Sequence, residues 1–465
     1  MTMLHVTEVG RMVAFSGLLP DTAYYLLDYL ARRGTELCAL VPNGEQQPGD
    51  PSQLNYCLLN ACLTAPEFSG MQRTRFIPYG FAAVIQNDFV ERYATNLAEP
   101  QWPAYREAAN ASALFMDWLE GVPVHLLEGR FSDVRAGTIK NLCREVVWVL
   151  SGLSNILAAA TRPNLSTGER PSCMRALPMA AVTSLRRLLT PVRLLAWRLH
   201  EGLPPAVLWM TELKTSTGGR AVTRQEAFSL HQIGLSSFES LRRRSNWPQL
   251  VEILGAQGAS HPQARAGELQ KLADEWHETV RNRYLAQQLR RLVEADRPLL
   301  QNFYGSREKQ FESAFQALLA RVGIRYTLFD SDLKVGAFDY LLHFDDRPDV
   351  IVECKTKQGN SLVDLNAARV VLGSSEQYGH RDTFCVTLCQ PGIDPNVPEK
   401  LQAVVRLCVV ETHDLAEAFT RLMRQSMSMQ AFHDWLTQPG QAKAETLVVH
   451  TRSTSEPEAP ALEAP

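Results

Sequence analysis

The spacing of apolar residues changes from a helical period to strand-like runs in the last third of the chain. Over residues 132–304, apolar side chains recur every three or four positions, which predicts helices almost throughout. Short apolar runs follow at 324–329, 338–344 and 350–355, and their β-branched and aromatic residues favour strands. The turn cluster 345–349 contains a proline and separates the last two runs, so these two runs predict a β-hairpin.

The predicted hairpin carries an acidic residue on one strand and an acid and a lysine on the next. Glu353 and Lys355 are two positions apart and share one face of their strand, and Asp339 lies within reach on the neighbouring strand. Charges beside an apolar core are costly unless they are paired or bind an ion. We therefore expect Asp339 and Glu353, with the Cys354 carbonyl, to hold Mg²⁺, which prefers oxygen ligands. Lys355 would position or help deprotonate the attacking water and offset charge at phosphorus.

Asp339 followed by Glu353-Cys354-Lys355 resembles the D…(D/E)xK signature of the PD-(D/E)XK, or restriction-endonuclease-like, nuclease superfamily. The resemblance implies a central mixed sheet flanked by helices, a Mg²⁺ cofactor with Mn²⁺ as the alternative, and a metal-dependent endonuclease that cuts DNA. It also implies that Glu312 is a catalytic residue near the metal. The amino-acid sequence of the two strands is most similar to that of restriction and related defence nucleases. This similarity implies a role in a prokaryotic restriction or anti-phage system.

The predicted order of elements over residues 306–425 also resembles that superfamily. Glu312 lies on a predicted helix at 307–323, because apolar residues recur there at helical spacing. The three predicted strands follow this helix, and further elements come after the Glu353 strand. These are a helix at 362–372 and strands at 383–389 and 403–410.

A basic segment precedes the predicted nuclease domain. Ten Lys or Arg residues fall between positions 186 and 244 and only four Glu oppose them, in a chain whose net charge is −3. The ten are Arg186, Arg187, Arg193, Arg198, Lys214, Arg220, Arg224, Arg242, Arg243 and Arg244. This local excess indicates a nucleic-acid-binding module.

Within the segment, Thr223 and Glu226 predict a capping box at the start of a helix that ends near Gly234. A second helix is predicted through the arginines 242–244. The pair resembles a helix-hairpin-helix and, faintly, the C-terminal helical part of Ski2-like helicases. Its predicted DNA-binding residues are Arg224, Gly234, Arg242, Arg243 and Arg244, and an ordinary αα-hairpin with a solvated arginine face is the alternative.

The length of 465 residues suggests about three domains, and 45% hydrophobic residues are enough for real cores. We expect a small N-terminal α/β or helical domain of unknown role at 1–130 and a mostly α-helical, basic region at 131–305. An α/β nuclease domain at 306–437 and a disordered tail at 438–465 follow. In the first domain, residues 37–41 have the composition of a strand.

The nine cysteines show no CxxC pairing, which favours a reducing compartment and argues against a zinc framework. The longest apolar stretch, 146–160, is interrupted by polar residues and predicts no membrane span, so we expect a cytoplasmic protein without a membrane partner. DNA is the predicted partner, with a helicase or another defence subunit and a second copy of the chain as further candidates. Two other functions stay open: a non-catalytic DNA-binding or helicase-accessory subunit, and a nuclease for RNA or repair intermediates.

Overall fold

The structure is a computed structural model that describes residues 6–42, 49–68, 97, 106–130, 134–162, 165–329, 336–357, 362–401 and 404–447. The chain forms two compact units. Unit 1 comprises Met1–Ser237 and Glu252–Pro262, and unit 2 comprises Phe238–Val251 and Gln263–Pro465. The predicted boundary at residue 130 falls inside unit 1, and the predicted helical region at 131–305 is divided between the two units.

The described part of unit 1 is built from helices around one apolar core that extends from Val9 to Leu199. Helix α6 is its central element and packs against α1, α3 and α8. The helices are α1 (Glu8–Ser16), α2 (Pro20–Ala39), α3 (Pro51–Thr64), α4 (Arg106–Leu119), α5 (Val124–Arg130), α6 (Ala136–Ala160), α7 (Met179–Leu185), α8 (Leu189–Glu201) and α9 (Arg224–Gln232).

The predicted strand at 37–41 is wrong, because α2 continues through Gly34 to Ala39. Gly34 is a site of close packing rather than the end of the helix. A Cβ atom at this position would lie 2.2 Å from Cδ2 of Leu185. The absence of a side chain therefore lets α7 approach the backbone of α2, and this packing offsets the low helix propensity of glycine.

Helix α6 is longer than the apolar stretch 146–160 that the sequence pattern marks. At 25 residues it has the length and composition of a membrane span, and 61% of its apolar window is buried inside the protein. Buried side chains such as Val149, Leu150 and Leu153 lie in the core of unit 1. A largely buried helix of this kind is typical of protein cores as well as of membranes.

Unit 2 contains a mixed sheet of six strands in the order β1-β2-β3-β4-β5-β6. The strands are β1 (Arg325–Leu328), β2 (Tyr340–Phe344), β3 (Arg347–Thr356), β4 (Phe384–Gln390), β5 (Leu407–Glu411) and β6 (Gly440–Ala442). The first three strands are antiparallel neighbours, and β3 to β6 run parallel. The predicted hairpin of β2 and β3 is therefore confirmed, and so is an α/β sheet domain that follows a helical region.

Helices cover both faces of this sheet. The first face packs against α13 (Arg297–Gly305), α14 (Glu308–Val322), α17 (Thr412–Met423) and α18 (Met429–Leu436). The second face packs against α15 (Leu365–Gln377) and α16 (Val397–Leu401). Because side chains alternate along a strand, Val350 and Val352 of β3 enter the first core and Ile351 enters the second. The remaining helices are α10 (Phe238–Arg242), α11 (Trp247–Ala256) and α12 (Pro262–Arg291).

Two predicted features of unit 2 need correction. The helix through the three arginines is interrupted, because α10 ends at Arg242 and α11 begins at Trp247. Pro248 explains the restart, since proline is tolerated in the first turn of a helix and not in its interior. The predicted disordered tail at 438–465 includes Gly440–Ala442, which forms β6 beside β5. Residues 448–465 lie outside the described part of the chain.

Candidate metal-dependent catalytic site

The structure brings the acidic residues of the predicted signature to one end of the β2–β3 hairpin. Asp339 immediately precedes β2, and Tyr340 pairs with Val352 of β3. Leu341 and Ile351 both enter the core on the second face of the sheet. Asp339 and Glu353 are each two residues away from one of them and therefore face the same side.

Two polar contacts fix the geometry of the site. The backbone N–H of Cys354 donates a hydrogen bond of 2.6 Å to Oδ2 of Asp339. The ammonium group of Lys355 forms an ion pair with the carboxylate of Glu353. Since the N–H and C=O groups of one strand residue point to the same edge, the Cys354 carbonyl also faces the Asp339 side of β3. The Asp339 carboxylate, the Cys354 backbone and the ion pair of Glu353 and Lys355 thus lie at the same end of the hairpin.

Both carboxylates are buried, with 9% of Asp339 and 5% of Glu353 exposed. Burial is the main cause that raises the pKa of Asp339 to about 8, and the charge of Glu353 raises it further. The hydrogen bond from Cys354 and the charge of Lys355 act in the opposite direction. Burial and the neighbouring carboxylate therefore disfavour ionisation of Asp339, and the hydrogen bond and the lysine offset this effect only in part.

Glu312 on α14 belongs to the same electrostatic group, because its charge also raises the pKa of Asp339. Tyr340 holds this helix against β2. The Tyr340 hydroxyl donates to the backbone carbonyl of Glu312 at 3.2 Å and accepts a hydrogen bond from the side-chain amide of Gln316 at 3.1 Å. Glu312 therefore acts on Asp339 through its charge, and its catalytic role stays a prediction.

The residues present fit a hard divalent cation. Two buried carboxylates that repel each other would be stabilised by an ion between them, and a carbonyl on the same strand edge adds a third oxygen. Mg²⁺ takes ligands of this type and retains waters in its other positions. Lys355 remains partly accessible, with 26% of its side chain exposed, so the cluster is open to solvent on the lysine side.

The predicted DNA-binding residues of unit 1 have structural contacts. Thr223 and Glu226 form the predicted capping box of α9. Gly234 has a φ of +81° and ends α9, with its N–H donating to the carbonyl of His231. The guanidinium group of Arg224 lies 3.9 Å from the ring centre of Trp118 and donates to the carbonyl of Gly202 at 2.8 Å. Burial lowers the pKa of Arg224 to about 10.

The three consecutive arginines lie in unit 2 and differ in their surroundings. Arg242 forms an ion pair of 2.9 Å with Asp274, and Arg243 donates to the carbonyl of Pro395 at 3.3 Å. Arg244 is exposed to solvent. The two helices of the predicted hairpin, α9 and α10, belong to different units. Arg244 is thus the arginine whose surroundings best suit contact with a phosphate backbone.

The sequence prediction missed a second polar cluster at the junction of β5 and α17. Glu411, His413 and Asp414 have ligand atoms that all lie within 4.8 Å of one another. The short run Glu-Thr-His-Asp directly after a predicted strand is the sequence signal that could have indicated it. In unit 1, Trp197 has 37% of its surface exposed and lines a cavity of about 390 Å³ with Arg193 and Asn155.

No protein-family model matches this chain, and no curated protein sequence matches it.

Proposed function

We propose that unit 2 is a Mg²⁺-dependent nuclease that hydrolyses phosphodiester bonds of DNA, with Asp339, Glu353 and Lys355 as its catalytic residues and Glu312 as an acid that supports the metal ligands. The observation that carries this proposal is the meeting of Asp339, Glu353 and Lys355 at the end of one hairpin. Buried carboxylates beside a lysine are costly for stability, and the cost is understandable if they hold an ion. A mixed sheet with helices on both faces is compatible with the restriction-endonuclease-like fold.

Asp339, Glu353 and the carbonyl of Cys354 would hold the metal ion, with Mn²⁺ as an alternative to Mg²⁺. When bound, the ion supplies Lewis-acid polarisation of the phosphate and lowers the pKa of a bound water. The Cys354 N–H keeps the carboxylate of Asp339 in a fixed orientation. Glu353 holds the Lys355 ammonium group beside the site, where its positive charge would orient the attacking water and stabilise charge that develops on phosphorus.

DNA is the substrate that the basic residues favour. Neutralisation of phosphates by exposed arginines provides affinity without reading the bases, and Arg244 has the exposure that this requires. A role in prokaryotic anti-phage defence, alongside a helicase or another subunit, is part of this proposal by analogy with nucleases of similar signature.

The test is cleavage of supercoiled plasmid by the full chain with Mg²⁺ and with EDTA. We expect cleavage with Mg²⁺ only, and a loss of at least about 100-fold in Lys355→Ala because a charge-stabilising group is removed. Lys271→Ala is the matched control, since Lys271 is an exposed lysine paired with Glu275 on α12. Equal activity of the wild type and Lys355→Ala would contradict the proposal and favour a DNA-binding or accessory role. Parallel assays with single-stranded DNA, duplex DNA and RNA would identify the substrate class.

A further inference from the structure

A second group of metal-ligating side chains lies at the start of α17 in unit 2. Glu411 is the last residue of β5, and His413 and Asp414 fall in the first turn of α17. Glu411 and Asp414 are buried, and His413 is half-buried. Unlike the cluster of Asp339 and Glu353, this group includes an imidazole.

Each carboxylate uses one oxygen to fix its own position and directs the other to the imidazole. Oε1 of Glu411 accepts a hydrogen bond of 2.8 Å from the N–H of Ile393, and Oε2 lies 3.3 Å from Nδ1 of His413. Oδ1 of Asp414 accepts a hydrogen bond of 2.7 Å from the N–H of Ala444, and Oδ2 lies 3.6 Å from Nε2 of His413. Hydrogen bonds that orient ligands in this way are typical of metal sites.

Two further observations indicate a ligand at this position. Nδ1 of His413 is buried and makes no hydrogen bond, although Oε2 of Glu411 lies 3.3 Å away. A second imidazole, His277 of α12, stacks on Phe238 at 4.2 Å, and its ring centre lies 6.2 Å from that of His413.

A lysine near the cluster is already engaged by another carboxylate. Lys443 lies close enough to Asp414 to lower its pKa, and its ammonium group pairs with Glu239 at 3.1 Å. Tyr284 stacks on His413 with a distance of 6.0 Å between ring centres.

We propose that Glu411, His413 and Asp414 form a second divalent-metal site, with His277 placed to complete the ligand set. One or two imidazoles with two carboxylates favour a borderline transition ion such as Zn²⁺ over Mg²⁺. The ion would tie α12 to the junction of β5 and α17, all within unit 2.

This site is separate from the proposed catalytic ion. Lys355 of β3 pairs in register with Cys389 of β4, and Cys389 pairs with Glu411 of β5. Two strand spacings amount to about 10 Å. Metal ions that act together on one phosphate lie about 3.5–4 Å apart. The second ion therefore has a structural role in unit 2 and does not depend on the nuclease proposal.

The test uses the full chain after removal of metals with a chelator, titrated with Zn²⁺ by calorimetry and with Co²⁺ as a spectroscopic probe. We expect one tight Zn²⁺ equivalent that persists in Glu353→Gln. In His413→Gln the Zn²⁺ affinity should fall by at least about 100-fold, because loss of a ligand costs more than the 10–100-fold typical of its outer partners. His343→Gln is the matched control, since this imidazole contacts Thr327 and Asp349 on another part of the sheet.

An unchanged Zn²⁺ affinity in His413→Gln, or no tight equivalent in the wild type, would overturn the proposal. If tight Zn²⁺ binding is lost in Glu353→Gln alone, the ion belongs to the catalytic cluster. This result would also overturn the proposal of a second site. If His413→Gln does not fold, the test uses Cu²⁺ bound to the Glu353→Gln protein at the site from which Zn²⁺ displaces it. The electron paramagnetic resonance spectrum of this Cu²⁺ then shows which atoms coordinate the ion. Nitrogen coupling from imidazole supports the site, and an oxygen-only spectrum contradicts it.

Discussion

Oδ2 of Asp339 accepts a hydrogen bond of 2.6 Å from the backbone N–H of Cys354. This contact joins the beginning of β2 to the end of β3 beyond the last paired residues of the hairpin, Tyr340 and Val352. It keeps a buried carboxylate beside Glu353 even though burial and the neighbouring charge both raise the pKa of Asp339 to about 8. The position of Asp339 is therefore maintained at a cost to stability, as is common at functional sites.

The first prediction concerns Asp339→Asn in the absence of metal. An asparagine oxygen can still accept the Cys354 hydrogen bond, but it carries no charge. The pKa of Asp339 is about 8 in the folded protein and 3.8 when unperturbed, so the folded state binds the extra proton between these values. The free energy of unfolding of the wild type therefore falls as pH rises from about 4 to about 8. The variant lacks this pH dependence.

We expect Asp339→Asn to raise the Tm at pH 8.5, by about 2–4 °C for each kcal/mol of stability gained, and to leave it nearly unchanged at pH 5. Thermal unfolding of both proteins in EDTA across this pH range measures the difference. A variant that is less stable than the wild type at pH 8.5 would show that the Asp339 charge is compensated in the folded protein. The same substitution should abolish plasmid cleavage, because a metal ligand is lost.

The second prediction concerns the pH dependence of Mg²⁺ binding. Asp339 must lose its proton to bind the ion, and below its pKa of about 8 the proton competes with the metal. The apparent Mg²⁺ affinity should therefore rise by up to about tenfold per pH unit between pH 6 and 8 and level off above. Cleavage rates at several Mg²⁺ concentrations, each measured across this range, test the expectation. Raising the Mg²⁺ concentration should shift the midpoint of the curve of cleavage rate against pH to lower pH. A midpoint that does not depend on the Mg²⁺ concentration would contradict the prediction.

The β2–β3 hairpin was predictable because its information is local. Apolar runs mark the strands, and the period of two places Glu353 and Lys355 on one face. The Asp339 contact with the Cys354 amide was not predictable, because it depends on the register in which the strands pair. The second cluster was missed for a related reason. His277 and His413 come together only when α12 packs beside the start of α17, and no sequence periodicity encodes this contact.

Unit 1 also contains tertiary contacts that the sequence does not predict. A glycine such as Gly34 is typical of a helix end. In the structure it instead leaves room for the side chain of Leu185, a residue distant in the sequence. Arg224 likewise belongs to an arginine-rich segment, and its contacts with Trp118 and Gly202 follow from the tertiary fold. Composition predicted the basic character of the segment but not which of its arginines face solvent.

The third prediction concerns Glu312, whose charge acts on Asp339 from α14. Glu312→Gln should weaken the apparent Mg²⁺ affinity by about tenfold, as expected for a partner outside the ligand set, and leave the rate at saturating Mg²⁺ nearly unchanged. Glu308→Gln is the matched control, because Glu308 is an exposed glutamate one turn earlier on the same helix. The dependence of cleavage on Mg²⁺ concentration separates the two effects. If both variants behave like the wild type, Glu312 is a solvated helix residue without a catalytic role.

The fourth prediction separates Arg244, which is exposed, from Arg224, which is engaged by Trp118 and by backbone carbonyls. Arg244→Ala should weaken duplex DNA binding and reduce the slope of log affinity against log salt by about 1, because one phosphate contact is lost. Arg224→Ala should leave that slope unchanged and lower the stability of unit 1 by about 1–3 kcal/mol, because the carbonyls of Gly202 and Val122 lose their donor.

Salt titrations of DNA binding together with thermal unfolding measure both quantities. Arg290→Ala provides the control, as an exposed arginine outside the basic segment. An unchanged salt slope in Arg244→Ala, or a reduced one in Arg224→Ala, would assign the DNA contact to other residues.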